Sequence, residues 1–389
     1  MNIKQNLHKI LPENIKNQII PIEIILHIST YIPQILTDKN IHQVVKDYFL
    51  NNKNKNNIQK KYGKINNWNV SNVTNMSYLF KNLINFNENI NNWDVSNVIN
   101  MDSMFIKATS FNKPLNNWNV SKVTNMETVF ANATLFNQSI DNWNVSNVKS
   151  MCGMFNIADK FNQPLNNWNM QNVTDIRWMF LHAYEFNQPL NNWNLKNVRH
   201  MDSLFCHAYA FNQPINNWNV SNITNMGGLF CCTQSFNQPL DNWNVSNVQN
   251  MMSMFNVTNS FNQPLNNWNT SNVTNMSHMF DNAHSFNQPL DNWNLSSMKN
   301  MSYMFFGAEN FNHPLTNWNI VHVKDTKGIF MWTIAFHNSN NLHITTQKWL
   351  SDFREKKKSV ENKADQLDAE IASFKAMKAN LLKQINTTK

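Results

Sequence analysis

Residues 92–116 read NWDVSNVINMDSMFIKATSFNKPLN, and this 25-residue unit returns along the chain without insertion or deletion. Trp stands at 68, 93, 118, 143, 168, 193, 218, 243, 268, 293 and 318, eleven copies in one register. Phe keeps the same step from 80 to 330 and again from 86 to 336. A fixed period of this length marks an array whose units bury their apolar sides only against stacked neighbours. Residues 65–340 are therefore read as one eleven-coil domain, between an N-terminal module, 1–64, and a C-terminal segment, 341–389.

Within the unit, Trp93-Asp94-Val95 alternates apolar and polar, the period of a half-buried strand. Val98, Met101, Met104, Phe105, Ala108 and Phe111 follow at steps of 3, 3, 1, 3 and 3, which predicts one stripe of a short helix or of 3₁₀ turns. Thr74 and Thr124 stand where an N-cap belongs, and the Pro of Asn-Gln-Pro-Leu ends the helix. The expectation is an α/β solenoid of strand, turn, short helix and turn. Its Trp and Phe columns would dominate stability, at roughly 1.5–3 kcal/mol per buried large side chain. The recurrent Asn residues, at 67, 92, 117 and at 87, 112, 137, are read as ladders that satisfy backbone groups at the turns.

Composition narrows the function classes. Hydrophobic residues make up 42% and charged residues 14%, with 26 Phe, 14 Trp and 21 Met, enough apolar mass to exclude wholesale disorder. No apolar run approaches the roughly 20 residues of a membrane span. The opening MNIKQNLHKILPEN lacks the apolar core of a signal peptide. The chain is thus expected not to be secreted by that route, and to reside in a host cytoplasm or a virion. The net charge of +8 divides as +6 in residues 1–65 (ten basic, four acidic), −2 in 66–340 (twelve and fourteen) and +4 in 341–389 (ten and six). Specific nucleic-acid readers carry a basic patch on the folded body. With the excess on the flanks, no specific nucleic-acid partner is expected.

The run WNVSNVTNMSxMFxxAxxFNQPLNNW resembles the BspA-like leucine-rich-repeat surface-protein family, in its Mycoplasma-type W-x-V-S-x-V-x-x-M-x-x-M-F variant. The resemblance covers about seven-tenths of the chain. It implies a leucine-rich-repeat-like solenoid with binding or adhesive roles and no catalytic residues, of a kind that occurs on bacterial and protist surfaces and in large amoeba-infecting DNA viruses.

At the N-terminus, residues 20–32 (IPIEIILHISTYI) resemble the opening of an F-box, although the pattern departs at Leu36–Asn40 and lacks the usual later Trp. That resemblance implies docking to a Skp-type adaptor of a ubiquitin ligase through Pro21, Glu23, Ile24 and Ile28. The other reading is a helical cap, for which Ile41, Val44, Val45 and Phe49 also have helical spacing. At the C-terminus, Val360, Ala364, Leu367, Ile371, Phe374, Lys378, Leu381 and Ile385 follow a heptad seam with one polar interruption. This predicts either a homo-oligomer held by Val360, Leu367, Ile371, Phe374, Leu381 and Ile385, or a helix lying back on the last coil.

Chemistry-bearing motifs are scarce. Cys152, Cys206, Cys231 and Cys232 form no CxxC pair and are read as free thiols. No phosphate loop, H-E-x-x-H or G-x-S-x-G occurs. No catalytic, cofactor or metal residue is therefore expected, and the chain is not read as an enzyme. N-x-S/T sequons such as Asn69-Val70-Ser71 lie in ladder positions where a glycan would block stacking. Variation between copies concentrates in repeats five to seven, where Arg177, Trp178, Leu181, His182, Tyr184, His207 and Tyr209 replace small polar residues. They predict either a partner-binding patch or local packing beneath a turn. The function expected is a non-catalytic protein-interaction scaffold, either an F-box-like substrate receptor or a structural or adhesive surface protein oligomerised through its C-terminal helix.

Overall fold

The computed structural model describes residues 34–315 and 317–333, with isolated helical positions between 351 and 375. The adaptor-docking residues Pro21, Glu23, Ile24 and Ile28 lie outside the described residues. So do Val360, Leu367, Phe374, Leu381 and Ile385 of the heptad seam; Ile371 is helical and 43% exposed.

Among the described residues, two helices and a single turn of 3₁₀ helix lead into the array. Helix α1, Ile41–Leu50, buries Ile41, Val44, Val45 and Tyr48, the i, i+3, i+4, i+7 face of an amphipathic helix. Helix α2, Asn52–Tyr62, is capped by Asn51, whose side chain accepts the Asn54 N–H, and ends at Gly63 with φ 79°. The 3₁₀ turn Ile65–Asn67 then delivers Trp68. Tyr48 meets Trp68 edge-on at 5.3 Å, and Phe49 meets Phe86 at 5.6 Å, so α1 covers the apolar end of the first coil. Residues 36–38 stand in for a missing preceding coil. Leu36 N–H reaches Asn69 O, Thr37 bridges Asn72, and the Asp38 carboxylate accepts the Thr74 and Asn75 N–H groups.

The expectation of an α/β solenoid with a strand and a short helix in each coil is overturned. Among the described residues the coils contain no strand and no helix. They touch along the backbone through isolated parallel bridges, Asn75 to Asn100, Asn125, Ser150, Asp175 and His200, then Asn225 to Asn250, Asn275, Asn300 and Asp325.

The segment read as a helix is a train of turns. Leu79, Lys81 and Leu83 donate back three residues, to Met76, Tyr78 and Phe80. The intervening Met76, Tyr78, Phe80 and Asn82 donate instead to Asn100, Asp102, Met104 and Ile106 of the next coil, at 2.8–2.9 Å. Half of the N–H groups thus stay within the coil and half leave it, which neither an α-helix nor a strand can do. Tyr78 and Asn82 have φ of 60° and 62°, and the same two positions are left-handed in coil after coil, as at Ser103, Lys107, Trp178 and His182. A positive φ every fourth residue rules out both regular conformations. The 3, 3, 1, 3, 3 spacing arises because each turn returns one side chain to the interior.

The segment read as a strand fails for a related reason. Trp93 and Val95 are buried and Asp94 is exposed, so the alternation is real, but turns enclose it on both sides. Trp93 N–H bonds Ile90 O, Val98 N–H bonds Val95 O, and the Asp94 side chain accepts the Ser96 N–H. Three extended residues are too few to build a ladder.

Aromatic columns hold the coils in register. Phe105 lies 5.4 Å from Phe130 and 4.4 Å from Phe111, with near-parallel rings, and Trp118 lies 6.2 Å from Trp143. Each indole N–H also reaches back 28 residues to a carbonyl of the preceding coil, from Trp93 to Ile65 (2.7 Å) through Trp318 to Leu290 (2.9 Å). The Asn of Phe-Asn-Gln forms a second staple. The Asn87 side chain accepts the Asn112 N–H at 3.0 Å, and the pattern continues to Asn287 and Asn312. Unpaired, each buried polar group would cost about 1–3 kcal/mol.

Candidate interaction surface

Because residue i lies over residue i+25, a substitution repeated in adjacent coils becomes a column. His182 and His207 occupy one such column, Tyr184 and Tyr209 another. The imidazoles stack at 4.3 Å and 15°, and the phenols stack at 5.0 Å and 17°. Within each coil the phenol and the imidazole meet edge-on, with Tyr184 Oη 3.3 Å from His182 Nδ1 and Tyr209 Oη 3.2 Å from His207 Nδ1. Tyr209 is 38% exposed. The backbone beneath is rigid: His182 donates to Cys206 O and His207 to Cys231 O, both with left-handed φ.

Trp178 and Arg177 sit one turn earlier in the chain. Trp178 is 42% exposed with φ 56°, and the Arg177 guanidinium lies 5.4 Å over its ring. Arg177 is itself held by the buried Asp175 through three hydrogen bonds of 2.6–3.1 Å, and this carboxylate keeps it more firmly protonated. Leu181 is half-buried and donates its N–H to Trp178 O. Among the described residues no ring contact joins Trp178 to the His–Tyr cluster. Leu181 links the Arg177–Trp178 pair to His182 along the chain.

Sequence reasoning missed three participants. Asp175 is the anchor for Arg177. Lys160 pairs with Glu185 of the next coil. Asp159 precedes Tyr184 and Tyr209 in their column, with its carboxyl pushed up by burial and one oxygen unpartnered. Lys160 and Asp159 are legible once the chain is written in rows of 25, because their partners stand 25 residues on.

Electrostatically the cluster is tuned toward neutrality. Burial lowers the pKa of His182 and of His207, and the neighbouring His182 lowers that of His207 further. The thiols of Cys152, Cys231 and Cys232 are likewise held protonated. Burial raises Cys152 to about 11, and the neighbouring Cys206 together with burial raises Cys231 to about 12. Cys231 and Cys232 are 3.7 Å apart at sulfur, and all four cysteines are free. Among the described residues no three His, Cys, Asp or Glu side chains are placed to hold a metal ion, and no helix is long and apolar enough to cross a membrane. The arrangement presents flat, pre-ordered aromatic faces with polar rims, which suits contact.

A family model described as "Mycoplasma protein of unknown function, DUF285" matches residues 45–166, 115–214, 186–277, 228–344 and 263–374. The chain belongs to this repeat family. The matches overlap and together span 45–374, from within α1 through the whole array into the C-terminal segment. Each match extends over several coils, in keeping with a fold in which one coil is completed only by its neighbours. No curated protein and no solved structure matches the chain.

Proposed function

We propose that the chain is a non-catalytic scaffold that binds protein partners through the aromatic groups of coils five and six. The observation that carries this reading is the paired stacking of His182 on His207 and Tyr184 on Tyr209. The residues common to all coils are consumed in packing, whereas these are exposed or half-buried, with the two histidines fixed on left-handed backbone. Pre-ordered aromatics of this kind supply interface anchors at low entropic cost.

The test is affinity capture with the purified full chain, followed by cross-linking to map each partner's position. Partners cross-linked near residues 175–210 should be lost with Trp178→Ser/Tyr209→Ser while the melting curve is unchanged. Retention of the same partners by the double variant would refute the reading. Two finer versions concern the ends of the chain. An F-box-type receptor in a host cytoplasm would co-purify with a Skp-type adaptor and lose it on Pro21→Ala/Glu23→Ala. An adhesive or structural surface protein, such as one on a virion, would be oligomeric by light scattering and become monomeric on truncation at Ser351.

A further inference from the structure

The array is nearly neutral in sum, but stacking sorts its charge. Consider the four residues that begin three positions after the periodic Trp of each coil, 71–74, 96–99 and onward to 321–324. They hold six of the array's twelve Lys and Arg residues (Lys122, Lys149, Lys196, Arg199, Lys299 and Lys324) and none of its fourteen Asp and Glu. The third residue of each set is buried, as at Val123, Val148 and Val173, and the six cations are all exposed.

Because the coils are in register, the second and fourth positions form two parallel columns with a groove of about 620 Å³ between them, lined by Lys122, Lys149, Thr124, Thr174, Asn147 and Asn172 alongside Ile99. Lys122, Lys149, Lys196, Arg199 and Lys299 enter no ion pair among the described residues. The groove walls are firm: Asn147 and Asn172 donate to Ser121 O and Ser146 O at 2.7 Å, and Thr174 donates to Lys149 O.

We propose that this stripe binds the phosphodiester backbone of double-stranded nucleic acid without reading its sequence. The side chains are those that contact phosphates, Lys and Arg with Ser, Thr and Asn. No Phe, Trp or Tyr occurs at any of these positions. That absence removes both the stacking platform of a single-strand binder and the aromatic anchor expected of a protein interface. The four cations Lys122, Lys149, Lys196 and Arg199 fall in coils three, four and six, the last holding two of them, and form the densest part of the stripe.

The test is fluorescence anisotropy of the full chain with a labelled 20-base-pair duplex of random sequence, from 50 to 200 mM salt. Each phosphate contact contributes about −0.9 to the slope of log K against log salt, so losing three contacts should flatten it by about 2.7. Lys122→Gln/Lys149→Gln/Arg199→Gln should show that flattening. Lys356→Gln/Lys357→Gln/Lys358→Gln makes the same change in net charge, from +8 to +5, and should leave the slope nearly intact. Equal flattening by both variants would overturn the proposal, because it would assign binding to net charge. Competition by poly-glutamate as effective as that by unlabelled duplex of equal charge would also overturn it, in favour of an acidic polypeptide.

Discussion

Trp193→Phe tests directly whether the coils are stapled one to the next. Trp193 is 3% exposed, stacks 6.2 Å from Trp218, and donates its indole N–H to Leu165 O at 2.9 Å. Phe keeps the ring but removes the donor. Leu165 O also accepts the Trp168 N–H at 3.1 Å, so the carbonyl is not orphaned, and the loss is the net value of one bond, about 0.5–1.5 kcal/mol. The roughly 40 Å³ of vacated indole volume adds about 1 kcal/mol. The expected total is about 2 kcal/mol, against about 3–5 kcal/mol for Trp193→Ala. Amide hydrogen exchange is the right assay, since a stack of repeats need not unfold in two states. The Phe180 N–H, which crosses the same interface to Leu204 O, should lose about thirtyfold in protection by local opening. The Phe305 N–H, bonded to Ile329 O near the far end, should be unchanged. A loss below about threefold at Phe180, or an equal loss at Phe305, would refute nearest-neighbour stapling by the indole.

Three further outcomes follow from the geometry. His182 and His207 have folded-state pKa values lowered from 6.5, so the unfolded chain binds protons first, and stability should be full above about pH 6.5 and fall as pH drops below it. Thermal melts from pH 8 to 5 should show this decline in the wild type and less of it in His182→Gln/His207→Gln. Cys152, raised from 9.0 to about 11, should have a thiolate fraction about a hundredfold lower than an ordinary thiol, and should alkylate correspondingly slowly until the chain is denatured. Val257 holds φ 55° on a β-branched side chain, whereas Asn282 occupies the same position one coil on; Val257→Asn should stabilise the chain by about 1 kcal/mol in a denaturant titration.

Much of the molecule was legible from spacing alone. The period, the identity of the buried residues from Trp93 to Phe111, and the ladder role of Asn112 and Asn137 all follow from which residues recur. The conformation of each coil was not. A 3, 3, 1, 3, 3 pattern fits a helical stripe and a train of three-residue turns equally well, because both return a side chain to the same side. The candidate surface was half legible: variation between copies pointed to Trp178, His182 and Tyr209. That variation carried no sign of Asp175 as the anchor of Arg177.

What the amino-acid sequence determined by itself is periodicity, and with it which side chains must be inside, since a unit this apolar is stable only against copies of itself. What the tertiary structure alone decided is where the backbone hydrogen bonds go. Alternate N–H groups are shared between a coil and its neighbour, a choice that exists only once the neighbour is in place. The same stacking turned residues 25 apart into columns. Scattered lysines became a stripe, and isolated His and Tyr residues became paired faces.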